Sequence, residues 1–141
     1  MPTLGRSASL HLRATYSTHT FTLLMRSVRI KVWLTDPEAA LPQYVAVELK
    51  HDRGVVLRTL GWFCWHAYAT NPAQIDLHVS RDGLFWTHWD SVTSECRAGI
   101  QLHKIRPFHS KENPFVKVEV VRTFGAPQTY MNRLYLHSDL A

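Results

Sequence analysis

The chain has 141 residues, which fits one domain with a real core, and its composition is that of a globular protein. No apolar run approaches the ~20 residues of a membrane helix; the longest candidate, FTLLM at 21–25, is soon followed by Arg26 and Arg29. The net charge of +5 does not describe a basic surface, because Arg6, Arg13, Arg26, Arg29 and Lys31 precede the first acid, Asp36, and the 11 other basic residues face 11 acids in 36–141.

Residues 1–27 are basic, rich in Ser and Thr and free of acids. That is the composition of a mitochondrial transit peptide, and equally of a basic tail that ends in a first strand near RSVRIKVWL. From residue 28 onward strand signals dominate. VRIKVWL alternates, TDPEAALPQ reads as a loop, and YVAVEL places Val45, Val47 and Leu49 on one face. After KHDRG, the apolar stretch 55–69 predicts a long strand bent at Gly61. QIDLHVS sets Ile75, Leu77 and Val79 against Asp76, His78 and Ser80.

Arg81-Asp82-Gly83 predicts a hairpin turn, since glycine takes the positive φ such turns need, and LFWTHWDSV predicts the returning strand. IQLHKIRPF, FVKVEVVRTF and YMNRLYLHS predict three more strands, separated by HSKENP and GAPQT. No helical period and no repeat appears. Six to eight strands with Pro, Gly, Asn and Asp between them indicate an all-β antiparallel sandwich or barrel. In such a sandwich the aromatics after the turn, Phe85 and Trp86, are expected in the core. Trp65, near a strand end, divides evenly between core and ligand contact.

The order of these signals resembles the discoidin (coagulation factor 5/8 type C) domain of the galactose-binding-like superfamily. The residues that carry the likeness are Trp33, Pro42-Gln43, Glu48-Leu49, Ser80, Asp82-Gly83 and Trp86, with the two closing strands of 115–138. The resemblance covers about residues 30–138 and implies a jelly-roll β-sandwich that binds ligands at one loop end. The N-terminal Asp-Gly-x-x-x-Thr-x-Trp segment of that family is not found in 1–30. The cysteine pair that ties the ends of extracellular members together is absent too, which points to an intracellular relative.

Catalytic chemistry finds no carrier. Nine histidines are scattered without H-E-x-x-H or C-x-x-C spacing, so no metal site is expected, and His78 and His88 read as the polar faces of hairpin strands. There is no Gly-x-Ser-x-Gly, no phosphate-binding glycine loop, and no cysteine in a reactive motif. Cys64, between Phe63 and Trp65, reads as a small buried hydrophobe. The expectation is a protein with no enzymatic activity, no cofactor and reduced thiols.

Alternating strand directions gather the loops 35–43, 67–73 and 91–99 at one end. There Asp36, Trp65, His66, Tyr68, Asn71 and Arg97 are the candidate ligand or partner residues. The leading function is a non-catalytic module that binds a protein partner within a larger intracellular assembly, cytoplasmic or, by its N-terminus, mitochondrial. The alternative is lectin-like binding of a carbohydrate, or of a phospholipid headgroup, through the same loop end. Nucleic-acid binding through the basic N-terminus ranks third, because the body is formally neutral.

Overall fold

A computed structural model describes residues 27–31, 41–49, 54–131 and 133–139. Expectations for residues 1–26, and for Trp33 and Asp36, lie outside the described residues. Eight strands follow in chain order: β1 Ser27–Lys31, β2 Gln43–Glu48, β3 Val56–Cys64, β4 Pro72–Ser80, β5 Thr87–Thr93, β6 Gly99–His109, β7 Phe115–Thr123 and β8 Arg133–Asp139. They form two antiparallel four-stranded sheets, ordered β1-β8-β3-β6 and β2-β7-β4-β5. No helix among the described residues is long and apolar enough to cross a membrane.

The alternation read from the sequence is what packs the sheets. Val45 and Val47 of β2, Ile75, Leu77 and Val79 of β4, and Val116, Val118 and Val120 of β7 are all buried. Facing them from the other sheet are Leu57, Leu60, Trp62 and Cys64 of β3, Ile105 and Phe108 of β6, and Leu134 and Leu136 of β8. Period-two patterning leaves one face of each strand apolar, and two such faces can leave water only by meeting. β3 does not run through 55–69 as one strand: it ends at Cys64, and Trp65 is exposed. At Gly61 a Cβ would lie 2.4 Å from Leu102 Cδ2 and 2.6 Å from the Gln101 carbonyl, so β3 and β6 need a glycine at this close approach.

The hairpin departs from the sequence expectation in two ways. Gly83 has the anticipated positive φ, 80°, but the connection is a longer loop and β5 starts at Thr87, three residues later than LFWTHWDSV suggested. Asp82 builds this loop: its Oδ1 accepts the Leu84 and Phe85 N–H groups at 2.8 and 3.0 Å, while Ser80 Oγ accepts the Gly83 N–H at 2.8 Å. The loop carries Leu84 and Phe85 outward, 78% and 81% exposed, so Phe85 is not a core residue. Nor is Trp86, a half-buried ring over which Lys117 Nζ sits at 4.6 Å.

Trp89 alone of this group packs against the core. The register with β4 slips by one residue between Leu77 and His78, so β5 bulges at Trp89–Asp90. The bulge swings Trp89 towards the other sheet. Its Nε1 donates to the Arg106 carbonyl at 2.8 Å, Asp90 Oδ2 accepts the Arg106 N–H at 2.8 Å, and the Arg106 guanidinium lies 3.7 Å from the indole centroid. These contacts close one side of the sandwich.

Candidate functional site

Three loops that cross from one sheet to the other meet at one end of the sandwich: 65–71 after β3, 94–98 after β5, and 124–132 after β7. The first curls on itself. Tyr68 N–H donates to the His66 carbonyl and Asn71 N–H to the Tyr68 carbonyl, each at 3.0 Å. Asn71 is fully buried beneath the loop, where its side-chain amide donates to the His66 carbonyl at 2.8 Å and points to the Arg97 carbonyl at 3.5 Å.

The loops are also stitched together. The Phe124 N–H reaches the Ala69 carbonyl and the Tyr130 N–H reaches the Thr70 carbonyl, both at 3.0 Å; Thr129 Oγ1 adds a bond to the Thr70 carbonyl at 3.1 Å. The 94–98 loop is clamped by buried Gln101, whose side chain accepts the Glu95 N–H at 3.0 Å and donates to the Glu95 carbonyl at 2.6 Å. Cys96 Sγ lies 3.5 Å from the Tyr68 carbonyl. Cys64 and Cys96 are both free thiols, the first buried and the second exposed.

Between the first and third of these crossings, 65–71 and 124–132, lies a cleft of about 480 Å³, inside the roughly 300–1,000 Å³ of small-ligand sites. Its aromatic lining is Trp65, His66, Tyr68 and Tyr130, and its polar lining is Thr70, Gln128 and Thr129. Trp65 is 54% exposed and Tyr68 45%. The rings brace one another edge to face: Phe63 with Trp65 at 5.1 Å, His66 with Tyr68 at 5.3 Å, and Tyr68 with Tyr130 at 6.1 Å. Burial, and to a lesser degree the neighbouring Cys64, raise the Tyr130 phenol above its usual range, while a backbone hydrogen bond from Trp65 partly offsets this. The hydroxyl is therefore a neutral donor and acceptor throughout the physiological range.

No Lys, Arg, Asp or Glu is among the described residues that line the cleft. Arg97 stands beside it rather than in it, with Nε 3.3 Å from Glu95 Oε2 and Nη1 3.3 Å from the Ala98 carbonyl. Of the six candidate residues, the structure thus brings Trp65, His66 and Tyr68 into one lining, places Asn71 beneath it as a support, and puts Arg97 at its side. Asp36 lies outside the described residues. The sequence reading missed Gln128, Thr129 and Tyr130. The signal was present: continuing the up-and-down count of strands past β5 brings the loop after β7 to the same end.

No family model matches the chain, and no curated protein matches it in sequence. Solved structures do match in shape. The module CpGH89CBM32-5 from Clostridium perfringens, in complex with GalNAc-β-1,3-galactose, superposes with a TM-score of 0.57 at 18% identity, over 79% of this chain and 74% of that one. The family 32 CBM of C. perfringens NanJ, in complex with galactose, gives 0.54 at 16% identity over 78% and 74%. The C-terminal domain of a chitobiase from Bacteroides fragilis gives 0.58 at 12% over 73% and 67%. The chain therefore has the galactose-binding-like, discoidin-type β-sandwich fold that its motifs implied, and two of these three similar structures are carbohydrate-binding modules by name.

Proposed function

We propose that this chain is a non-catalytic carbohydrate-binding module that takes a neutral sugar in the cleft of Trp65, His66, Tyr68 and Tyr130. The observation that carries the reading is the lining itself: exposed, mutually braced rings beside hydroxyl, amide and imidazole groups. A pyranose presents an apolar C–H face, which packs on an aromatic ring, and a rim of hydroxyls, which exchange hydrogen bonds with such groups. A phosphate headgroup would call for a cation, and none lines the cleft among the described residues. The likeness to modules solved with galactose and with GalNAc-β-1,3-galactose supports the lectin-like alternative ahead of the protein-partner reading.

Calorimetric titration with galactose, N-acetylgalactosamine and GalNAc-β-1,3-galactose tests it, alongside anionic phospholipid vesicles. Saturable binding of at least one sugar, lost in Trp65→Ala and Tyr68→Ala proteins that stay folded, is the expected result. Sugar binding unaffected by both substitutions would remove the cleft from the reading. The protein-partner reading draws on a different feature, the Leu84–Phe85 tip at the far end of β4. It would gain if Leu84→Ser and Phe85→Ser changed association while leaving sugar binding intact.

A further inference from the structure

We propose that the outer face of β4, β5 and β7 holds a divalent transition-metal ion, Zn²⁺ by its donor set, between Asp76, His78, His88 and Glu119. This site lies on the face of a sheet, away from the loops of the cleft, and does not depend on what the cleft binds.

The four residues are neighbours by register. Asp76 and His78 are two apart on β4 and share its outer face. Glu119 of β7 pairs with Asp76, and His88 of β5 pairs with His78. The bulge at Trp89–Asp90 brings Ser91 opposite Asp76 on the same side as His88, which simple alternation would not do. One donor atom each from Asp76, His78 and Glu119 lies within 4.8 Å of the others. His78 Nε2 is 2.9 Å from Glu119 Oε1, and His88 Nε2 is 3.7 Å from Asp76 Oδ2. Tetrahedral Zn²⁺, with bonds of ~2.0–2.1 Å, spaces its donors about 3.3 Å apart. These two separations bracket that spacing, and with the Asp76, His78 and Glu119 donors within 4.8 Å of one another the site would close by a contraction of side chains around the ion.

Donor chemistry selects the ion. Two imidazoles and two carboxylates suit Zn²⁺, whereas Ca²⁺ and Mg²⁺ take six or more oxygens, many of them from water or backbone. The surroundings orient the donors. Ser91 Oγ donates to Asp76 Oδ1 at 2.8 Å and Gln74 Nε2 does so at 3.2 Å, leaving Oδ2 turned to His88. A competing cation, Lys117, pairs with His78 across β4 and β7. Its ammonium is drawn away over the Trp86 ring at 4.6 Å and the Tyr44 ring at 5.3 Å. The His78, Asp76 and Glu119 side chains are only 17–21% exposed, while His88, at 52%, sits at the solvent side of the group. An ion here would tie the edge strand β5 to the centre of its sheet.

The test uses the full chain, stripped with a chelator and titrated at neutral pH with Zn²⁺, Co²⁺, Ca²⁺ or Mg²⁺. We expect one Zn²⁺ per chain, a tetrahedral Co²⁺ absorption spectrum, and a rise in Tm with Zn²⁺ but not with Ca²⁺ or Mg²⁺. His88→Gln, at a half-exposed position, should stay folded by circular dichroism and weaken Zn²⁺ binding at least tenfold; His78→Gln should weaken it further and abolish the Co²⁺ spectrum. His109→Gln, which lies on β6, should change nothing. Failure to take up Zn²⁺ saturably would overturn the proposal and leave the four residues as two histidine–carboxylate contacts. Uptake unchanged in the His78→Gln/His88→Gln protein would overturn it equally, by placing the ion on other histidines.

Discussion

Tyr68 and Tyr130 meet edge to face at 6.1 Å although they belong to loops that cross between the sheets in opposite directions, one from β3 to β4 and the other from β7 to β8. The Tyr130 N–H to Thr70 carbonyl bond fixes one loop on the other, so the two rings form one wall. Neither ring reaches its position unless both crossings are in place.

Trp65→Ala should lower sugar affinity at least tenfold, or about 1.4 kcal/mol, and leave Tm almost unchanged, because half of the ring is already in water. Tyr130→Ala should lower both, since that ring also packs against the core. A double-mutant cycle on Tyr68 and Tyr130 should return a coupling of about 0.5–1.5 kcal/mol for the ring contact. Calorimetry and thermal melts on wild type, the three single mutants and the Tyr68/Tyr130 double mutant read out all of this.

Asn71→Ala removes the amide that holds the His66 carbonyl from below. We expect a destabilisation of about 1–3 kcal/mol, because a fully buried side chain and its hydrogen bond to the loop are lost together. Sugar binding should weaken even at temperatures where the protein is fully folded, as the 65–71 loop loosens. Urea melts with a parallel titration at low temperature separate the two effects; a variant that loses affinity with its urea midpoint unchanged would make Asn71 a ligand contact instead.

Gly83→Val should cost about 1–3 kcal/mol, because φ of 80° strains a branched residue and its Cβ would lie 3.2 Å from the Phe115 ring. In the same loop, Asp82 is held below its ordinary value of 3.8, first by the Phe85 N–H and then by the Leu84 N–H. A carboxylate with a depressed folded pKa adds stability that is complete above the unfolded value and disappears as pH falls through the folded one. Asp82→Asn should therefore flatten the acid limb of a Tm–pH curve below about pH 4 and change the curve little near neutrality.

Desolvation, with a smaller contribution from Cys96, pushes the Cys64 thiol up to about 12. The reactive thiolate is then absent at neutral pH, and the side chain is shielded as well. Iodoacetamide should label the native protein once, at Cys96, and twice in denaturant, as counted by intact mass. Rapid native labelling of Cys64 would mean that β3 opens locally.

Trp62→Ala should cost about 3–5 kcal/mol, because this ring is fully buried between the sheets. Phe85→Ala should stay within about 0.5 kcal/mol of wild type, the ring being 81% exposed. Equal effects in chemical denaturation would contradict the placement of these two aromatics.

The sequence by itself determined the fold class and most strand faces. Val45, Val47, Ile75, Leu77, Val79, Val116, Val118 and Val120 are buried because period-two alternation states which side of a strand leaves water. It also identified the positive φ at Gly83 and three of the residues in the cleft, Trp65, His66 and Tyr68. It did not place the aromatics of 85–89. Alternation assigns faces only while a strand keeps its register, and here the strand begins late and bulges at Trp89, so Phe85 points to solvent and Trp89 to the other sheet. Tyr130 joined Tyr68, and Glu119 joined Asp76 and His78, through pairings between segments far apart in the chain. Local spacing carries no record of such pairings. They exist only once two sheets have packed and each crossing loop has been assigned to one end, which is a property of the folded topology and not of any one stretch of residues.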